Sequence, residues 1–201
     1  MRNSRWPTRE QINALPPYNG LRLDDILVVS TPQAALRARE ELLRETVLGF
    51  DTESKPTFVK GQVSTGPHVA QFSSRRRGYV LPLHLHEGRE VVREVMCNEA
   101  IMKVGFGLRD DLKKLPAKLN IELKNVYDVE NLFGEKGYGR GVGVKVGVAI
   151  VFKKRFLKSK KIGTSNWMHR HLSTAQILYA ANDAYAAIQV YQALKDSSKR
   201  G

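Results

Sequence analysis

A single cysteine, Cys97, rules out an intramolecular disulfide and fits a reducing compartment, with no disulfide-linked partner expected. No apolar stretch approaches the roughly 18 residues a membrane span needs, so no membrane partner is expected either. The opening segment MRNSRWPTREQINALPPYNG has no apolar core, which argues against a secretory signal. Glu10 and the prolines at 7, 16 and 17 argue against the unbroken amphipathic helix of a mitochondrial transit peptide, and the cytoplasm is the expected location. The sequence also lacks a G-x-G-x-x-G run and a Gly-Lys-Ser/Thr phosphate loop, and GFGLRD (105–110) has no third glycine. A dinucleotide-binding unit is therefore not expected. One further absence is local: from Lys136 to Asn182 there is no Asp or Glu.

That acid-free stretch carries ten basic residues: Lys136, Arg140, Lys145, Lys153, Lys154, Arg155, Lys158, Lys160, Lys161 and Arg170. Arg75, Arg76 and Arg77 form a second cluster. Over the whole chain 33 Lys and Arg face 20 Asp and Glu, a net +13. Excess positive charge points to a polyanionic partner, nucleic acid above all, with a solvated basic surface as the alternative. Concentrated charge favours the partner. The 201 residues, 42% of them apolar, suit one domain with its own core.

Residues 1–25, with Pro7, Pro16, Pro17 and Gly20, are expected to form an irregular arm. Strand signals follow at 26–30, 47–53, 68–74, 78–83, 101–107 and 125–129, and helix signals at 32–45, 88–100 and LRDDLKKL. Thr31 and Pro32 suit the start of the first of these helices. Ser173 and Gln176 make a capping-box pattern, with Leu172 and Ile177 spaced as a hydrophobic staple, before a helix running to about Leu194. SSKRG (197–201) is expected to be a flexible tail. In GEKGYGRGVGVKVGVAIVFKKRFL (134–157) the valines at 142, 144, 146 and 148 alternate as in a strand. The later apolar residues fit a helix face with Lys153, Lys154 and Arg155 opposite. A mobile glycine loop followed by that helix is the expectation.

GFDTES (49–54) ends a strand with two acids whose side chains share a face, and like charges side by side call for a counter-cation. Tyr179 and Asp183, four apart in LYAANDAYAA, share a helix face. Asp110 and Asp111 stand at a strand-to-helix junction, where the helix macrodipole alone would favour acids. FDTES, GFGLRDDLKKL and YAANDAYAAIQVY resemble, in order, the three motifs of the DEDDy 3′–5′ exonucleases. This ribonuclease H-like branch contains ribonuclease D and the Werner-syndrome exonuclease domain. KSKKIGTSNW (158–167) resembles the family's segment ending in Ser-x-Trp, and the resemblance covers roughly residues 25–195. The glycine-rich 134–147 stretch departs from the family's ordinary helix start.

The resemblance implies an α/β, ribonuclease H-like fold: a mixed five-stranded sheet flanked by helices, with the exonuclease domain at 26–196. It implies metal-dependent hydrolysis of phosphodiesters from a free 3′ end of RNA or DNA, releasing nucleoside 5′-monophosphates. A nucleic-acid-binding module on an inactive copy of the fold is the alternative. Asp51, Glu53, Asp111 and Asp183 would hold two Mg²⁺ or Mn²⁺ ions, hard cations suited to oxygen ligands. Two ions about 4 Å apart activate water and stabilise the leaving oxygen. Asp51 would bridge both, Glu53 and Asp183 would hold the ion with the nucleophilic water, and Asp111 would support the second. Asp111 fits the family's D-x-x-x-L with Leu115, whereas Asp110 would face Lys114. Tyr179 would orient the water. Lys153, Lys154, Arg155, Lys158, Lys160, Lys161 and Trp167 are the candidate substrate contacts. His84, His86, His169 and His171 are expected at the surface, and Asp128 is expected to buttress the site or cap a helix.

Overall fold

The computed structural model describes residues 6–57, 61 and 63–198. Expectations for residues 1–5, for part of the 54–67 loop and for 199–201 fall outside these. The sheet consists of β1 (Ile26–Val28), β2 (Val47–Glu53), β3 (Val69–Ser73), β4 (Gly78–Pro82), β5 (Met102–Gly105) and β6 (Val126–Asp128), in the order β1-β4-β3-β2-β5-β6. β3 runs antiparallel to β2 and β4; the β1–β4, β2–β5 and β5–β6 pairs are parallel. The expected five strands are thus six among the described residues. Ile26–Val28 pairs with Gly78–Val80, occupying backbone groups that an edge at β4 would leave bare.

Alternation along β2 decides the two faces. Leu48 and Phe50 are fully buried in a core with α2 (Pro32–Leu42), α3 (His86–Cys97) and α4 (Asp111–Leu119). Gly49 turns to the opposite face, against α8 (Thr174–Ser198), where an added Cβ would lie 1.9 Å from the Ala184 carbonyl oxygen. The alanines at 180, 181, 184, 186 and 187 are all buried. Small residues on both partners let the helix approach the sheet closely, and that approach sets how near Asp183 comes to Asp51. On α8 the Ser173–Gln176 capping box is present: Gln176 N–H donates to Ser173 Oγ at 3.3 Å and Ser173 N–H to Gln176 Oε1 at 3.0 Å.

Three expectations are corrected. The N-terminal arm is not wholly irregular, because Thr8 and Gln11 form a capping box that starts α1 (Arg9–Ala14) between Pro7 and Pro16. The last helix runs on past Leu194, since α8 continues through Ser198 and holds Ser197 and Ser198. In the glycine-rich region, α5 (Glu130–Glu135) is followed by a loop, and α6 spans Val144–Phe152. Helical packing of Val148 and Ala149 overrides the strand-like alternation. α6 ends where Lys153 takes a left-handed conformation, φ 54°, so Lys153, Lys154 and Arg155 lie past the helix rather than on its polar face.

Candidate active site

The carboxyl end of β2 is the centre of the site. Asp51 and Glu53 project toward α8, and Asp183, one turn beyond Tyr179, meets them. One carboxylate oxygen from each of Asp51, Glu53 and Asp183 lies within 4.8 Å of the others. Glu53 and Asp183 are buried, at 8% and 4% exposure. Burial raises the proton affinity of all three, and repulsion from the neighbouring acids adds to this at Asp51 and Glu53. Burial, then Asp183, holds the Asp51 carboxyl well above the usual range. Glu53 is pushed up to about 9 by burial and then by Asp51 and Asp183. Asp183 is raised by burial, against the pull of Lys158.

Lys158 is the resident counter-charge. Its Nζ lies 2.5 Å from Asp183 Oδ2 and 5.1 Å from the centroid of the Tyr179 ring. Burial lowers the ammonium's proton affinity, but Asp183 and Asp51 more than offset this, so it stays charged. Burial raises the Tyr179 phenol above its ordinary value, which leaves it a hydrogen-bonding hydroxyl at neutral pH. A Cβ on Gly163 would lie 2.5 Å from Tyr179 Oη, so α7 (Lys160–Gly163) presses directly on this hydroxyl.

Asp111 stands outside this group of three, close enough for its charge to act on Asp51 and Glu53. It is the first residue of α4, half-buried, and accepts a hydrogen bond from the Thr52 hydroxyl. Burial raises its carboxyl while that bond opposes the shift. Asp110 points away and is exposed, paired with Lys114 at 3.1 Å. Asp128 fixes the loop leading to Asp111. Its carboxylate accepts from Gly107 N–H at 3.2 Å and Leu108 N–H at 2.9 Å, and from Glu130 N–H at 3.0 Å at the start of α5. It therefore fills both expected roles, buttress and cap.

Two residues here were not singled out from the sequence. Thr52 was hidden inside D-x-E, where strand parity turns it toward α4. Gln71 stands opposite Asp51 across the β2–β3 ladder, fully buried, with neither amide atom hydrogen-bonded. Only cross-strand register could have flagged it.

The expected substrate contacts scatter. Trp167 is 1% exposed, donates its Nε1–H to the Gly163 carbonyl at 3.2 Å and packs 5.9 Å from the Tyr179 ring. It has no free face for a base, so the expectation of Trp167 as a substrate contact is corrected: it packs in the core. Arg155 holds the N-terminal arm: its N–H donates to the Pro16 carbonyl at 2.8 Å, and its guanidinium to the Asn13 carbonyl at 2.8 Å. Lys153, Lys160 and Lys161 are exposed and Lys154 half-buried. The histidines at 84, 86, 169 and 171 are exposed, as expected. A cavity of about 360 Å³ opens onto Asp51, Asp183 and Lys158 and is walled by Gly107, Glu130 and Gly141–Val144. The glycine-rich stretch thus borders the acids.

Three clustered carboxylates, two of them buried, and an Asp183 Oδ1 with no hydrogen-bond partner suit a divalent cation with oxygen ligands. Together with the mixed sheet, this acidic cluster defines a domain of ribonuclease H-like architecture. The chain belongs to the 3′–5′ exonuclease family, whose model matches residues 26–198. A 3′–5′ exonuclease of Arabidopsis thaliana is 30% identical over 152 residues, covering 74% of this chain and 52% of that protein. The chain thus spans about half the length of that relative. The exonuclease domain of Aedes aegypti Nibbler superposes with a TM-score of 0.75 at 20% identity, covering 91% of this chain and 94% of that one. Trypanosoma brucei RNase D in complex with RNA U12 gives 0.73 at 17% identity, covering 92% and 64%. At these identities the two structures speak for the shared fold.

Proposed function

We propose that this protein is a metal-dependent 3′–5′ exonuclease that hydrolyses the terminal phosphodiester of RNA or DNA and releases nucleoside 5′-monophosphates. The observation that carries the reading is the convergence of Asp51, Glu53 and Asp183 within 4.8 Å in a chain of this family. RNA is the first substrate to test, because the structurally similar Trypanosoma brucei RNase D is seen with RNA.

Asp51, Glu53 and Asp183 would hold Mg²⁺ or Mn²⁺, with Asp111 supporting a second ion. Bound there, such ions lower the pKa of a water and stabilise the leaving oxygen. Tyr179 Oη orients the attacking water as a hydrogen-bonding group, since its raised proton affinity makes it a poor base. Lys158 offsets the negative charge that the acids would otherwise concentrate. Thr52 and Asp128 hold Asp111 and the loop that delivers it.

A product assay on 5′-labelled single-stranded RNA and DNA, with Mg²⁺, Mn²⁺ or chelator, tests this. A ladder shortening from the 3′ end with metal, and none with chelator, is expected. Asp51→Asn keeps the shape of the side chain but removes its charge, so activity should fall by orders of magnitude in a folded protein. Near-normal turnover by that variant would remove the reading.

A further inference from the structure

A second pocket lies beside the acids, and its charges are of one sign. It measures about 230 Å³ and is lined by Thr65, His68, Leu83, His84, Lys118 and Met168, with Trp167 at its back. Lys118 Nζ donates to the Thr65 carbonyl at 2.8 Å, and His68 Nε2 lies 3.1 Å from Thr65 Oγ1. Arg89, on α3, is pinned to the turn after β4 by hydrogen bonds to the Leu83 and His84 carbonyls at 3.1 and 3.2 Å. The pocket shares two walls with the active site. His68 N–H donates to the Glu53 carbonyl at 2.8 Å, and Trp167 packs on Tyr179.

The charges acting on these side chains repel one another. The proton affinity of His84 is lowered by burial and then by Arg170, His171 and Arg89, and that of Lys118 by burial and then by Arg89. Among the described residues no carboxylate lines the pocket. Cations gathered without acids cost free energy, which a bound polyanion would recover. The spread of these groups over Thr65 and His68, the turn after β4, α4 and the 168–171 segment suits an anion that passes along a groove.

We propose that this pocket is a subsite for the sugar–phosphate backbone of the substrate strand, upstream of the 3′ end being cut. The proposal rests on the nuclease reading and deepens it. The 3′ terminus lies at the acids, and the preceding phosphates run between Lys118 and Arg170 over the exposed Met168, which is 52% accessible. Phosphate contacts of this kind fix the register of a strand without reading its sequence.

The test is binding, measured by fluorescence anisotropy of labelled single-stranded RNA and DNA 20-mers in chelator, so that no hydrolysis intervenes. The Lys118→Gln/Arg170→Gln double variant changes two exposed side chains. It should weaken binding by on the order of tenfold or more at about 0.1 M salt and flatten the log–log salt slope by about 0.7 per lost phosphate contact. An Arg9→Gln/Arg44→Gln control, removing the same charge from exposed sites elsewhere, should bind nearly as the parent does. Parent-like affinity and slope in the Lys118/Arg170 variant would overturn the subsite, as would an equal loss in the control. Calorimetry with a nucleoside 5′-monophosphate adds a third arm. Tight binding lost in the Lys118/Arg170 variant, with 20-mer affinity intact, would mean a mononucleotide pocket and overturn the strand reading. These outcomes are separate from the nuclease reading, which fails if Asp51→Asn still hydrolyses the strand.

Discussion

At the residue scale, two adjacent aspartates have opposite surroundings. Asp110 is solvent-exposed and paired with Lys114, while Asp111 is half-buried and receives the Thr52 hydroxyl. Asp111→Asn is therefore expected to lower kcat by orders of magnitude and Asp110→Asn to spare it. The reverse ranking in a steady-state assay would place Asp110 at the ions. Tyr179→Phe keeps the ring between Trp167 and Lys158 but removes the hydroxyl. Groups that orient or transfer protons typically contribute about 10²-fold or more, so kcat should drop by that order with KM little changed. An unaltered kcat would leave Tyr179 as packing only.

At the element scale, α8 assembles the site from one side and the N-terminal arm braces it. Asn182, next to Asp183, accepts from Leu21 N–H at 2.7 Å and donates to the Leu21 carbonyl at 3.3 Å and the Leu178 carbonyl at 2.8 Å. Tyr18 packs on Phe152, Phe156 and Tyr185 at centroid distances of 5.6, 6.0 and 6.4 Å. Asn182→Ala strands the Leu21 N–H, a cost of about 1–3 kcal/mol. At about 2–4 °C per kcal/mol for a domain of this size, a drop of several degrees in Tm is expected by calorimetry. A Tm equal to the parent's would mean that the arm contributes nothing to folding through Asn182.

At the scale of the whole molecule, the acids set a pH dependence. Glu53 is pushed up to about 9 in the fold from an ordinary 4.5, so between those values the folded protein holds a proton that the unfolded chain has lost. Stability in chelator should therefore fall as pH rises through that window. On the proposed function Mg²⁺ or Mn²⁺ would bind the ionised acids, so added metal should raise Tm most at the alkaline end. Glu53→Gln should flatten the metal-free profile. A metal-free Tm that climbs from pH 5 to 9, with no response to metal, would contradict a cation site among these carboxylates. No helix of the described residues is long and apolar enough to cross a membrane.

Local chemistry was legible in the sequence by itself. Strand parity put Asp51 and Glu53 on one face, helical spacing joined Tyr179 to Asp183, and the Ser173–Gln176 box started α8 where the pattern said. Each depends on neighbours within about four residues along the chain, which is the range over which backbone geometry is set. The tertiary structure alone decided what sits between those acids. Lys158 looked like one basic residue among ten, and only the path of the chain from α6 to α7 brings its Nζ onto Asp183. Likewise Arg155 and Trp167, typical substrate-contacting residues by type, are taken up by the arm and the core. Thr52, Gln71 and the cations around His68 and His84 come together from segments far apart in the chain. Burial and long-range charge depend on how the whole chain packs, and no local pattern encodes them.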